Sequence, residues 1–240
     1  MLVPRTQAMN VKSRTATLPV LAVFCAALLA CAFTDKRRRA GVRGAPAALE
    51  ALERAHAALP PYSSGIKHCD DPAIERTRDP KATAASIFGF DAEALGRAFK
   101  GVEPKSGDPW QWISPSETRY VAEARRDGRA NGSVAVYIHE ISLRGHVALF
   151  QAESRVAPSV ADGKITPGRY VGAVFVMNLR TAGVACHAPF TAENTPDFAA
   201  TQGTQGTELL KAAIKDLEQN FDRSLLEALR SISRSVEVTH

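Results

Sequence analysis

Cysteine, methionine and tryptophan are scarce in this chain, at four, three and two residues of 240. Four cysteines are too few for a disulfide-dense scaffold. No uncharged apolar run reaches the ~20 residues that span a bilayer comfortably, which excludes a multi-span membrane protein. The sequence has no G-x-S-x-G elbow, no G-x-x-x-x-G-K-[ST] loop, no H-E-x-x-H and no G-x-G-x-x-G, so nothing favours a serine hydrolase, NTPase, zincin or dinucleotide enzyme. A basic excess is missing where a nucleic-acid interface would need it. The formal charge is +5, but residues 44–240 carry 22 basic against 24 acidic residues. No nucleic-acid partner is expected for such a body. With 45% hydrophobic and 23% charged residues, the chain has the composition of a globular protein.

The charge that does exist is concentrated at the N-terminus. Arg5, Lys12 and Arg14 precede the uncharged run Leu18–Phe33, LPVLAVFCAALLACAF, and Lys36-Arg37-Arg38-Arg39 follows it. Positive residues ahead of a short apolar run are the plan of a secretory signal. The run contains Leu28-Leu29-Ala30-Cys31. This segment resembles the lipobox of bacterial lipoprotein precursors: an aliphatic residue, a small residue before the cut, then cysteine. The resemblance covers this segment alone. It implies cleavage between Ala30 and Cys31, lipid attachment at Cys31, and, with Ala32 rather than Asp next, an outer-membrane address on the periplasmic side. Two or three acyl chains make a firm anchor where one is marginal. The basic run departs from the pattern, because positive charge just after the cut opposes export. An ordinary cleaved signal and an uncleaved anchor helix are the alternatives. The expected organisation is a signal peptide at 1–30, a lipidated basic tether at 31–45 and one domain at 46–240. The run Lys36-Arg37-Arg38-Arg39 is suited equally to touching anionic headgroups and to serving as a solvated tether.

Cys25 lies in the signal and Cys31 would carry lipid, so Cys69 and Cys186 remain. An even pair in an exported domain reads as one disulfide. Two buried thiols, or a zinc site with the adjoining His68 and His187, are the alternatives. The spacing is wrong for zinc, and neighbours on a strand point to opposite faces.

The body reads as α+β. A helix is expected from Pro46 to Leu59, with Pro60-Pro61 as its stop. Short helices follow at 82–88 and at 91–99, where Asp91 is a natural N-cap. Five strands are then expected at 119–124, 133–143, 146–156, 170–179 and 184–190, joined by short turns as an antiparallel meander. The run YVGAVFVMNL (170–179) is apolar on both faces and belongs at the sheet centre. Leu210, Ile214, Leu217, Phe221, Leu225, Ala228 and Ile232 recur every three or four residues and predict a long covering helix over 207–232.

Candidate sites are sparse. Trp110-Gln111-Trp112 places two aromatics one residue apart, able to stack a ligand or to lie on the core. His139, Glu140 and His146 would surround one hairpin, and Asp70, Asp71 and Glu75 form an acidic loop beside Cys69. Neither has metal-ligand spacing, and neither a metal nor another cofactor is expected. The resulting expectation is a non-enzymatic, lipid-anchored envelope protein that binds another envelope or cell-wall component or supports an assembly. An envelope hydrolase, and a solute or lipid carrier with a cavity beneath the 207–232 helix, are the alternatives.

Overall fold

The computed structural model describes residues 17–69, 88–103, 108–110, 112–113, 115–127, 132–162, 164–196 and 206–232, with side chains of the first helix from Lys36 onward. Its elements are α1 (Thr17–Ala57), β1 (Phe88–Asp91), α2 (Ala92–Ala98), α3 (Pro115–Arg126), α4 (Gly132–Arg144), β2 (His146–Val156), β3 (Ser159–Ala161), β4 (Lys164–Thr166), β5 (Arg169–Asn178), β6 (Val184–Glu193) and α5 (Thr207–Ile232). A four-stranded sheet in the order β1-β2-β5-β6 separates two hydrophobic cores. One core holds the buried faces of α1 to α4, and the other is covered by α5.

The sheet is mixed. Strands β2, β5 and β6 form the expected antiparallel meander, but β1 adds to β2 in parallel, Phe88 opposite Val147. Parallel pairing needs a long crossover, and α2, α3 and α4 supply it. Two of the five expected strands are therefore helices. Residues 119–124 lie in α3 and 133–143 in α4. Val134, Val136 and Ile138 alternate as a strand would, and their β-branching favours one. The residues actually buried are Val134, Ala135, Ile138 and Ile141, which line one helical face. Gly145, with φ +75°, ends α4 in the left-handed conformation that a helix stop needs, and β2 starts at once.

A second correction concerns where the first helix of the body starts. The backbone is helical without interruption from Thr17 to Ala57, through the basic run and Pro46. Pro46 was expected to start a helix because it breaks the hydrogen-bond ladder inside one. Here it and Val42, whose carbonyl it leaves unmatched, are both exposed, so water can reach that group. Small residues explain why this stretch packs at all. Ala45, Ala48, Leu52 and Ala55 are buried, and Gly41 and Gly44 let the α4 backbone and the His139 ring come close. A Cβ at Gly41 would lie 2.8 Å from Val136 N and Cα.

The small antiparallel pair β3–β4 falls where no strand is expected, while several other elements follow the sequence closely. Asp91 Oδ1 accepts a 2.8 Å hydrogen bond from Ala94 N and caps α2. Strand β5 is buried on both faces, and α5 occupies the expected residues. Pro189 sits on β6, an edge strand, where its missing N–H costs no ladder bond. The expected helix at 82–88 lies outside the described residues except for Phe88, which is in β1.

Candidate functional site

The helical layer creates a groove at the end of the body where α1 enters it. Arg37 and Arg38 of α1 form one wall, and Tyr120 of α3 with Ser133, Tyr137 and Glu140 of α4 forms the other. The cavity measures about 760 Å³. Helical spacing sets Ser133, Tyr137 and Glu140 on one face of α4, one turn apart. Arg37 pairs with Glu140 across the opening. The Tyr137 ring is fixed between Phe88 (5.1 Å between centroids) and Tyr120 (4.8 Å). Burial, and then the negative charge of Glu117, push the Tyr137 hydroxyl far above its ordinary range, so it stays protonated at any physiological pH. Arg38 also borders a second hollow of about 530 Å³ with Arg39, Val42 and Arg43. Among the described residues Arg38 has no acidic partner. The groove lining thus joins two guanidinium groups and the exposed Ser133 with the Glu140 carboxylate, already paired to Arg37, while the Tyr137 hydroxyl is buried beside Glu117. This chemistry favours anionic oxygen atoms, bound in a wide-mouthed site.

Of the residues singled out from sequence, Arg37, Arg38 and Glu140 line this groove, and the others lie elsewhere. Trp110 and Trp112 belong to the opposite core. Trp110 packs edge-on to Tyr170 at 5.8 Å and Trp112 to Phe221 at 5.1 Å, and both are half-buried against the aromatic core. His139 turns toward Gly44, Glu140 reaches Arg37, and His146 is buried at the start of β2 near Asn178. The three do not form one site. Asp70, Asp71 and Glu75 lie outside the described residues. Among the described residues no cluster of His, Cys, Asp and Glu could hold a metal ion. Cys69 and Cys186 form a buried disulfide across 117 residues, so their thiols are not ligands. His187 stacks on Phe175 on the other face of β6. The space beneath α5 that a carrier would hollow out is filled by Phe150, Tyr170, Phe190 and Phe221, whose rings pack within 6 Å.

One polar cluster has no local sequence signal. Arg155 of β2 pairs with Asp91 at the end of β1 and lies 5.3 Å over the Tyr170 ring. Burial raises the Asp91 carboxyl above its ordinary range, and Arg155 opposes that rise. The pair lies between the sheet and the aromatic core, with Asp91 buried. It links the parallel edge strand β1 to β2 and to Tyr170 of β5. Among the described residues, no helix is long and apolar enough to cross a membrane. Comparison with protein-family models, curated proteins and solved structures finds no match.

Proposed function

We propose that the chain is a lipid-anchored protein of the bacterial cell envelope, held through Cys31, whose α/β body binds a further envelope component or supports an assembly there. The observation that carries this reading is the lipobox-like Leu28-Leu29-Ala30-Cys31. The Cys69–Cys186 disulfide supports it, because such bonds persist in oxidising compartments and are rare in the cytosol. The packing of α1 adds a physical consequence. Its buried face begins at Gly41, so only about nine residues separate the lipidated cysteine from the folded body. In helical form these cover ~14 Å. The body would then stand close to the membrane and oriented by α1, a geometry suited to holding a partner at a fixed height.

The test is metabolic labelling with a fatty acid. Label should enter the wild-type chain and be lost in Cys31→Ala, which should accumulate as a longer, unprocessed form. Equal labelling of both, or processing unaffected by the substitution, would refute the anchor.

A further inference from the structure

We infer that the groove between α1, α3 and α4 binds the phosphate-bearing headgroup of an anionic phospholipid from the membrane that carries the anchor. The inference deepens the anchoring proposal and rests on it for the groove's position. Cys31 lies six residues before Arg37 on the same helix, a rise of ~9 Å. A lipid attached there brings Arg37 and Arg38 to headgroup level. The groove at that height is built for an anion with a body behind it. Among the described residues Arg38 has no competing acid, Arg37 is held over the opening by Glu140, and Ser133 lines the same space. The volume of about 760 Å³ exceeds what a bare phosphate fills and suits a headgroup with its glycerol. Arg39 and Arg43, on the neighbouring hollow, extend the positive rim along α1.

The assignment separates from general attraction of a basic helix to a negative surface through Glu140. A nonspecific cationic patch gains only slightly from losing one acid. A groove in which Glu140 competes with the ligand for Arg37 gains affinity directly. An improvement also cannot arise from misfolding.

Native mass spectrometry of the full chain released from detergent, with phosphatidylglycerol, phosphatidylcholine or inorganic phosphate added, tests this. One phosphatidylglycerol should be retained per chain, with phosphatidylcholine and inorganic phosphate much weaker. Arg38→Gln should weaken binding about fivefold, the scale of one cation at an anionic surface. Arg37→Gln should weaken it at least as much, because it also frees Glu140. Glu140→Gln should tighten it, while Arg180→Gln, an equal charge change on the β5–β6 turn, should stay within about twofold of wild type. Equal loss in Arg38→Gln and Arg180→Gln, or weaker binding in Glu140→Gln, would overturn the site. Equal retention of phosphatidylcholine, or displacement of the lipid by equimolar phosphate, would overturn the headgroup assignment. The same spectra report acylation. An acylated chain that ignores phosphatidylglycerol removes this inference alone, and an unacylated chain that binds it removes the anchor and leaves the groove.

Discussion

Replacing Gly41 with alanine distinguishes a packed α1 from a solvated tether by the sign of the effect. In an exposed helix, glycine to alanine stabilises by ~1 kcal/mol, because alanine loses less backbone freedom on folding. In an unstructured tether the change is near zero. In this structure the added methyl would stand 2.8 Å from Val136 N and Cα and 3.0 Å from the Ala135 carbonyl carbon. Comfortable carbon contacts need ~3.5–4.0 Å, and no side-chain rotation relieves a clash with backbone. The helices must part by several tenths of an ångström, and the buried seam of Ala45, Ala135 and Ile138 loses contact along its length. Overpacking of this kind costs ~1–3 kcal/mol, which more than offsets the propensity gain. The expected net loss is about 1 kcal/mol, or ~2–4 °C in Tm for a domain of this size. Gly41→Leu, with no space for its branch, should lose at least ~3 kcal/mol. Thermal unfolding followed by circular dichroism on the full chain in non-ionic detergent reads both. A higher Tm for Gly41→Ala, or a neutral Gly41→Leu, would refute the packing of α1 on α4 and with it the short anchor.

Gly44→Ala meets the His139 ring at 2.2 Å, a side chain that can turn away, so it should cost less than Gly41→Ala, and His139→Ala should relieve it in a double-mutant cycle. Reducing the Cys69–Cys186 bond releases a loop of 117 residues, worth ~4–5 kcal/mol in the chain-entropy picture; a urea midpoint unmoved by reductant would contradict that. Arg155→Met leaves Asp91 buried and unpaired, with an expected loss of ~3 kcal/mol near neutral pH. Asp91 already has a raised pKa, and losing the cation raises it further, so the unpaired carboxylate's penalty is present at high pH and shrinks as acid protonates it; a loss constant from neutral to ~pH 4 would be inconsistent. Asp216 behaves oppositely. Burial works to raise its pKa, but hydrogen bonds from Asn194 Nδ2 (2.9 Å), Thr195 N (2.8 Å) and Thr195 Oγ1 (2.8 Å) hold it below the ordinary value. Its contribution is full above the ordinary carboxylate range and lost as pH falls through the lowered value, so the Tm gap between Asp216→Asn and wild type should narrow in acid; a gap that widens as pH falls below the ordinary carboxylate range would contradict it.

The elements legible from sequence are those whose local signals agree with their tertiary surroundings. The stripe of α5, the doubly apolar β5 and the Asp91 cap each carry one unambiguous pattern. In α4 two patterns compete, β-branched alternation against a helical face made partly of alanine, and the crossover to the parallel β1 decides in favour of the helix. In α1 the residues that read as breakers serve the packing. Gly41 and Gly44 admit another helix, and Pro46 is tolerated on a wet face. The disulfide was legible from cysteine arithmetic. The groove was not legible, because Arg37 meets Glu140 across 103 residues and no local motif joins them. The Asp91–Arg155 pair is hidden for the same reason, at a separation of 64.

The measurement that bears most directly on the account is the intact mass of the chain extracted from membranes, with and without reduction before thiol alkylation. The account predicts a chain starting at Cys31 with added acyl mass, and two thiols that appear only on reduction. A full-length, unmodified chain whose thiols react without reductant would contradict both the anchor and the exported, disulfide-bonded body.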